Sequence, residues 1–205
     1  GLCWWLPAAV HPETIVHAWT DRRLLDLLAI EQPLLLAPMA GSALSAMAIA
    51  VARAGGLGSI ACSSISVDKA TEEVATFRAA VTARINLNFF AHRPRTPDAV
   101  EMARWQARLA PYYAEFGLDG DDLPPAGGRA PFDETMCAMV EAVRPEVVSF
   151  HFGLPPESFL ARVKATGAVV LSTATTVAEG RWLEERGCDA VIAQGYEAGG
   201  HRGNF

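Results

Sequence analysis

The chain has 205 residues, of which 51% are hydrophobic and 20% are charged, and its formal net charge is −6. This composition excludes an intrinsically disordered chain and supplies enough apolar surface for one large or two small domains. The acidic balance, with no basic stripe, argues against nucleic acid and membrane surfaces as partners. The cysteines are far apart and form no CxxC pair, so reduced thiols in a cytoplasmic protein without a metal site are expected.

Residues 1–19 fit poorly with the rest of the chain. They contain Trp4, Trp5 and Trp19 and two prolines, without a helical or strand period. No Lys or Arg precedes an apolar stretch, which argues against a signal peptide, and no apolar run is long enough to span a bilayer. We expect ordered structure to begin near Thr20, with residues 20–205 forming one domain.

From residue 20 onward, predicted helices and strands alternate. Apolar runs bounded by turn residues predict strands at 33–39, 57–62, 84–90, 146–152, 168–173 and 189–194. Helical spacing, with Gly and Asp at element boundaries, predicts helices at 22–28, 43–54, 67–80, 97–116, 132–143, 157–166 and 177–186. A Pro- and Gly-rich loop is predicted at 117–131.

This alternation predicts an α/β fold with a parallel sheet. A TIM-type (β/α)8 barrel is preferred to a doubly wound sheet, because no GxGxxG follows the first strand and polar residues gather where several strands end. A complete barrel takes about 250 residues. We therefore expect a barrel truncated after about six βα units.

The strand predicted at 146–152 carries a histidine near its carboxyl end. Ser149, His151 and Gly153 share one face, while Phe150 and Phe152 share the other and are expected to pack outward on the helices. His151 then points into the barrel mouth, and its ordinary pKa of about 6.5 suits proton transfer near neutral pH. A core histidine with satisfied partners is an equally weighted alternative.

The strand predicted at 84–90 carries two carboxamides. Asn86 and Asn88 are two residues apart, so they point the same way from an apolar strand and need polar partners. A flat heterocycle with ring nitrogens and carbonyls would supply them, since an amide both donates and accepts. An Asn that caps a neighbouring loop is the alternative. Asn88, nearer the strand end, is the favoured ligand contact.

Glycine-containing turns follow the first and last predicted strands. Residues 194–203 read QGYEAGGHRG, in which Gly199 and Gly200 let backbone N–H groups approach a phosphate. No Walker Lys-Ser/Thr follows, which argues against a nucleotide-hydrolysing loop. At the end of the first predicted strand, Pro38 and Met39 lie within APMAG, where backbone can line a flat ligand.

Together the motifs resemble those of the nitronate monooxygenases, formerly called 2-nitropropane dioxygenases. The similarity runs from about Thr20 to Phe205. The string EAGGHRG is shared with FMN-dependent enoyl-ACP reductases, whereas SFHFG carries the histidine typical of the nitronate enzymes. In chain order, the motifs are APMAG at 37–41, AGGLGSI at 54–60, NLNFF at 86–90, SFHFG at 149–153 and GYEAGGHRG at 195–203.

The resemblance implies a TIM-type barrel that binds FMN noncovalently and oxidises alkyl nitronates, such as propionate 3-nitronate, with dioxygen to a carbonyl compound and nitrite. It implies that His151 is the active-site histidine, which holds the nitronate oxygens or abstracts an α-proton from a neutral nitroalkane. The implied flavin contacts are Asn88, Gln194 and Gly199, with Pro38 and Met39 lining the ring and Gly200 in the phosphate-side turn.

Two other functions stay open at this point. One is an NAD(P)H-dependent FMN reductase of the enoyl-ACP or quinone type with the same fold. The other is a truncated, noncatalytic chain, because loops after the seventh and eighth strands commonly supply much of a barrel's phosphate site. The preferred nitronate, the biological role and the oligomeric state are not determined by these residues.

Overall fold

The computed structural model describes residues 19–94, 98–118 and 130–205. The predicted alternation of helices and strands is confirmed apart from the first predicted strand, and the element ends differ from the predicted ones by no more than two residues. Residues 1–18, where ordered structure was expected to be lacking, and most of the predicted loop lie outside the described residues. The elements are α1 (Arg23–Leu28), α2 (Ser45–Arg53), β1 (Gly58–Ala61), α3 (Val67–Ala80), β2 (Ile85–Phe90), α4 (Ala99–Glu115), α5 (Glu134–Val143), β3 (Val147–His151), α6 (Glu157–Ala165), β4 (Val169–Ala174), α7 (Val177–Glu185) and β5 (Ala190–Ala193).

All five strands belong to one parallel sheet in the order β1–β2–β3–β4–β5. Neighbouring strands align closely: Asn88 lies beside Ser149, and Ser149 lies beside Leu171. A doubly wound sheet reverses its strand order, whereas a barrel keeps adding strands in one direction. The sheet order therefore favours the barrel. Within the described residues, β1 and β5 do not pair with each other.

The first predicted strand, at 33–39, is wrong as a continuous strand. Only one parallel bridge forms, between Leu35 and Leu57. The Leu36 N–H donates to the Leu57 carbonyl at 2.9 Å, and the Leu57 N–H donates to the Leu34 carbonyl at 2.8 Å. Pro38 has no N–H to continue this ladder, so the pairing stops before it.

Two faces of the sheet are covered in different ways. The outer face packs against α2, α3, α5, α6 and α7 in a core that includes Phe77, Phe89 and Phe150. The inner face carries Val147 and Leu171 near the amino ends of their strands, where Leu28 of α1 and Leu57 cover them. Apolar packing thus closes the amino end of the interior and leaves the polar residues nearer the carboxyl end.

No helix in the described part of the chain is long and apolar enough to cross a membrane. Cys62, Cys137 and Cys188 are free thiols. Burial raises the pKa of Cys62 to about 12, so this thiol stays protonated near neutral pH.

Candidate active site at the carboxyl edge of the sheet

His151 is the last residue of β3 and lies on the inner face of the sheet, as its spacing from Ser149 predicts. Its Nδ1 lies 3.1 Å from the Thr173 hydroxyl oxygen, on the neighbouring strand β4. Its Nε2 lies 3.0 Å from the backbone carbonyl oxygen of His201. Because a carbonyl only accepts, Nε2 carries the proton of the neutral imidazole, and Nδ1 accepts from Thr173.

The surroundings of His151 favour its neutral form. Burial is the main cause and lowers its pKa below the ordinary value of 6.5; the His201 side chain lowers it further, while the hydrogen bond to the His201 carbonyl raises it. The net direction is downward, so the imidazole is uncharged near neutral pH. The residue is half-buried, which leaves part of it facing the mouth of the sheet.

Aromatic rings surround the histidine. The Phe90 ring centroid lies 6.0 Å from that of His151, and the Phe152 centroid lies 4.4 Å away. The outward packing expected for Phe150 is confirmed by its edge contact with Phe132 at 5.3 Å. The same expectation for Phe152 is wrong, because β3 ends at His151 and Phe152 has a left-handed backbone with φ of 69°. That turn redirects its ring to the site.

The two carboxamides of β2 point the same way, as predicted, and they lie on the inner face of the sheet. The Nδ2 group of Asn86 donates to the hydroxyls of Ser59 at 3.0 Å and Ser149 at 2.9 Å. The Nδ2 group of Asn88 donates to the Ser149 hydroxyl at 2.9 Å and to its carbonyl at 3.2 Å. Serine hydroxyls of neighbouring strands thus supply partners on the donor side. The Asn86 Oδ1 atom is buried without a partner among the described residues.

Gln194, the first residue after β5, holds the turn that follows it. Its Nε2 group donates to the His201 carbonyl at 2.9 Å, and its Oε1 atom accepts from the Gly203 N–H at 2.7 Å. The His201 carbonyl therefore receives hydrogen bonds from both Gln194 and His151. A carboxamide with both ends engaged in this way positions the turn rather than facing outward.

Gly203 brings the turn into direct contact with the histidine. A Cβ atom at this position would lie 2.7 Å from Cε1 of His151 and 2.8 Å from Cγ2 of Thr173. Both distances are too short for any side chain, so only glycine allows this approach. Gly199 and Gly200 differ, since a Cβ atom at either would meet nothing within 4 Å, and Gly200 has a positive φ of 77°.

Pro38 and Met39 lie after the Leu35–Leu57 bridge and are both exposed, Met39 with 41% of its surface accessible. The Met39 carbonyl accepts from the N–H groups of Ser42 and Ala43 at 3.1 and 2.8 Å. Through this turn, the segment leads into α2. Among the described residues, no hydrogen bond joins Pro38 or Met39 to the residues around His151.

The structure thus brings some predicted site residues together and leaves others apart. Hydrogen bonds connect His151 with Gln194 through the His201 carbonyl, and Asn88 with Ser149 on the histidine's own strand. Pro38, Met39, Gly199 and Gly200 occupy loops beyond strand ends and are exposed. Because all strands are parallel, these loops lie at the same edge of the sheet as His151.

Sequence reasoning missed Thr173, Gly203 and Phe90 as neighbours of His151. Two of them were detectable, because Thr173 ends the strand predicted at 168–173 and Phe90 ends the strand at 84–90. Residues at the carboxyl ends of neighbouring parallel strands meet in space. The approach of Gly203 had no comparable signal, since most glycines in such strings only form turns.

A cavity of about 600 Å³ opens beside this site. Its wall includes Phe152 and Gly153 from the turn after β3, Trp182 of α7, and Phe205. None of the predicted cofactor residues lines it. The cavity therefore adjoins the histidine through Phe152 but is not the place where the predicted site residues meet.

Comparison with known proteins gives a consistent result. The sequence model of a family described as "Nitronate monooxygenase" matches residues 21–205. Nitronate monooxygenases of Paraburkholderia phytofirmans and Pseudomonas aeruginosa are 40% and 41% identical over 189 and 191 residues. These alignments cover 90% and 91% of this chain but 50% and 53% of the relatives. The chain spans about half the length of the curated relatives it matches.

Solved structures agree on the fold. A nitroalkane oxidase from Streptomyces ansochromogenes matches with a TM-score of 0.75 and 36% identity, over 88% of this chain and 50% of that one. FabK from Thermotoga maritima matches with a TM-score of 0.63 and 25% identity, over 89% of this chain and 46% of that one. Both are TIM barrels, so the predicted fold class is confirmed.

Proposed function

We propose that this chain, which belongs to the nitronate monooxygenase family, carries out the flavin-dependent oxidation of alkyl nitronates with dioxygen. The products are a carbonyl compound and nitrite, and propionate 3-nitronate is the type of substrate. The observation that carries the proposal is the placement of His151. It ends a central strand, on the inner face, with both ring nitrogens hydrogen-bonded.

The family is flavin-dependent in general, and we propose FMN as the flavin of this chain. The residues present fit that group on two counts. Gly199 and Gly200 leave open space beside their backbone, as a phosphate held by N–H groups requires. The inner face of β2 presents Asn88 beside the amide oxygen of Asn86, which is buried and has no hydrogen-bond partner among residues 19–94, 98–118 and 130–205. Pro38 and Met39 would line the ring, and Gly200 would lie at the phosphate.

The role of Gln194 is narrower than the resemblance implies. Both ends of its carboxamide hold the turn of residues 201–203. Contact with FMN would require one of these hydrogen bonds to be exchanged. We therefore propose that Gln194 contributes to the cofactor site mainly by fixing the turn that follows Gly199 and Gly200.

The histidine supplies the proton chemistry of the proposed reaction. Bound flavin would supply the electron transfer. A nitronate is an anion, and the Nε2–H group of His151 can donate a hydrogen bond to its oxygens in place of the His201 carbonyl. With a neutral nitroalkane, the uncharged imidazole is the group that can act as the base for the α-proton. Each role uses the neutral imidazole that burial favours.

The first test is cofactor retention by the 205-residue chain. The purified protein is mixed with FMN, FAD or riboflavin in separate samples, desalted, and examined by its absorption spectrum. Retention of FMN alone supports the proposal, because only a phosphate-bearing flavin of the right size uses the Gly199–Gly200 turn. Retention of no flavin by a folded sample contradicts it and indicates a noncatalytic chain.

The second test distinguishes nitronate oxidation from reduction of the flavin by NAD(P)H. Nitronate and dioxygen consumption are measured together with nitrite release, for the wild type and His151→Asn. We expect the variant to lose at least about a hundredfold in turnover while keeping its flavin. Equal turnover in the variant removes His151 from the mechanism. Rapid reduction of the bound flavin by NAD(P)H, without nitronate turnover, would assign the chain to the reductases.

A cytoplasmic location is proposed together with the enzymatic function.

A further inference from the structure

The two partners of the His151 imidazole differ in their chemistry. The His201 carbonyl, 3.0 Å from Nε2, only accepts a hydrogen bond. The Thr173 hydroxyl, 3.1 Å from Nδ1, can either donate or accept. The carbonyl therefore assigns the proton of the neutral ring to Nε2. Nδ1 becomes the atom that gains or loses a proton, and the hydroxyl is the group that faces it.

We propose that Thr173 is a positioning residue for His151. Its hydroxyl donates to Nδ1 while the imidazole is neutral. When Nδ1 takes up a proton, the hydroxyl rotates and accepts a hydrogen bond from it. The contact thus survives both charge states, and the ring keeps its orientation through the proton transfer. Only the consequence for turnover rests on the proposed function; the contact itself does not.

Thr173 is held in place for this role. It lies on the inner face of β4, its side chain is branched at Cβ, and it is 6% exposed. Branching leaves few rotamers, so the hydroxyl has a defined position. Gly203 packs against both partners, since a Cβ atom there would lie 2.7 Å from His151 and 2.8 Å from Thr173. The turn that contains Gly203 therefore packs closely against both His151 and Thr173.

The Thr173 hydroxyl is the group that orients the imidazole at Nδ1. The rings of Phe90, Phe152 and His201 lie around the pair, and His201 is the titratable side chain among them. Within the described residues, no carboxylate hydrogen-bonds to His151. In many sites a carboxylate orients a histidine and stabilises its cation. Here a neutral hydroxyl takes that position and stabilises the cation less than a carboxylate would, so burial keeps the imidazole uncharged at rest.

The wild-type chain provides the first test, without flavin or substrate. Histidine labelled with 15N is introduced, and the ring signals of His151 are assigned by their loss in His151→Asn. We expect the neutral ring to carry its proton on Nε2. Nδ1 should be unprotonated and accept a hydrogen bond. A neutral ring protonated mainly on Nδ1 overturns the proposal, because neither partner would then be used as inferred. This measurement stands even if the Thr173 variants fail to fold.

The second test compares Thr173→Val with Thr173→Ser. Valine keeps the shape but removes the hydroxyl, so it loses the acceptor that stabilises the cation, and the pKa of His151 is expected to fall further. Serine keeps the hydroxyl and should restore the wild-type pKa. Ser172→Ala is the control, because its hydroxyl lies on the outer face of β4 and donates to Gly153. It should leave the His151 titration unchanged.

Turnover of the flavin-loaded chain gives an independent readout. We expect Thr173→Val to lower kcat about tenfold with little change in KM, and to shift the pH profile, with rescue by Thr173→Ser. A Thr173→Val chain with the wild-type titration and pH profile overturns the proposal. If Thr173→Val lowers the pKa of His151 and Thr173→Ser restores it, but the wild type shows no nitronate turnover, the positioning role is supported and the proposed function is contradicted. The two failures are therefore distinguishable.

Discussion

The central strands and the edge strand β5 have equally apolar sequences but opposite environments. Residues 147–150 of β3 are buried, whereas Val191 and Ile192 of β5 are 40% and 41% exposed. The difference comes from neighbours, since β3 is paired on both sides and β5, in the described part of the chain, only with β4. An apolar strand sequence thus indicates where burial is possible, and the sheet around it decides whether burial occurs.

The same contrast divides the candidate site. His151, Asn88 and Thr173 come from the central strands, where hydrogen bonds across the sheet fix each side chain. Gly199 and Gly200 come from the turn after the edge strand, and they are exposed with open space around them. Proton-handling groups need a defined geometry, whereas backbone that receives a phosphate needs access.

The largest expected effect comes from truncating the core beneath the histidine. Phe150 is fully buried, and its ring lies 5.3 Å from that of Phe132. We expect Phe150→Ala to lower the free energy of unfolding by about 4 kcal/mol, through lost burial and the cavity left behind. Ile192→Ala in β5 should lower it by less than about 1 kcal/mol. Denaturant titrations of both variants measure the difference, and equal losses would contradict the contrast between the strands.

A smaller effect is expected at the amino end of α2. The first N–H of this helix, at Ser45, donates to a Glu73 carboxylate oxygen at 2.8 Å, and Lys69 lies 2.9 Å from the other oxygen. Hydrogen bonding from Ser45 is the main cause that lowers the pKa of Glu73 to about 2, assisted by Lys69. We expect Glu73→Gln to cost about 2 kcal/mol near pH 7.

The pH dependence of that loss follows from the direction of the shift. A carboxylate with a lowered pKa stabilises the fold above its unfolded value of 4.5, and this contribution disappears as the pH falls toward about 2. Unfolding measurements of wild type and Glu73→Gln from pH 7 to pH 2.5 should converge at the acidic end. A difference that stays constant across the range would assign the loss to packing rather than to charge.

The smallest effect on global stability is expected at Gln194. Removing its carboxamide in Gln194→Ala frees the His201 carbonyl from one hydrogen bond and the Gly203 N–H from its acceptor. The amide of Gly203 should exchange with solvent about fivefold to tenfold faster, while the unfolding midpoint changes little. Gln106→Ala, on the exposed surface of α4, is the matched control. Unchanged exchange at Gly203 would mean that other contacts hold the turn.

Much of the fold was predictable from local pattern. The helix at 67–80 was predicted with its observed ends, with Asp68 near its start, and the structure shows that Ser66 caps it. The strand at 33–39 was not, since its apolar run resembles a strand while Pro38 prevents further pairing. Runs of apolar residues report burial well, but the extent of a hydrogen-bonded ladder depends on the neighbouring strand.

The candidate site was predictable in part, for a similar reason. Alternation predicted that Asn86 and Asn88 of β2 point the same way and that His151 of β3 points inward, and the structure places all three on the inner face. The same alternation failed at Phe152, where the backbone leaves the strand in a left-handed turn. Periodicity holds only while the backbone stays extended, so a residue just beyond a strand end escapes it.

The sequence by itself determined the order and type of the elements, the inner face that carries the polar residues, and the family motifs. These properties depend on the spacing of residues along one segment. Only the tertiary structure decided the partners: the Thr173 hydroxyl and the His201 carbonyl on the two nitrogens of His151, and Gly203 against its ring. Such contacts join segments 22 to 52 residues apart, and their distances arise only when the sheet and its turns pack together.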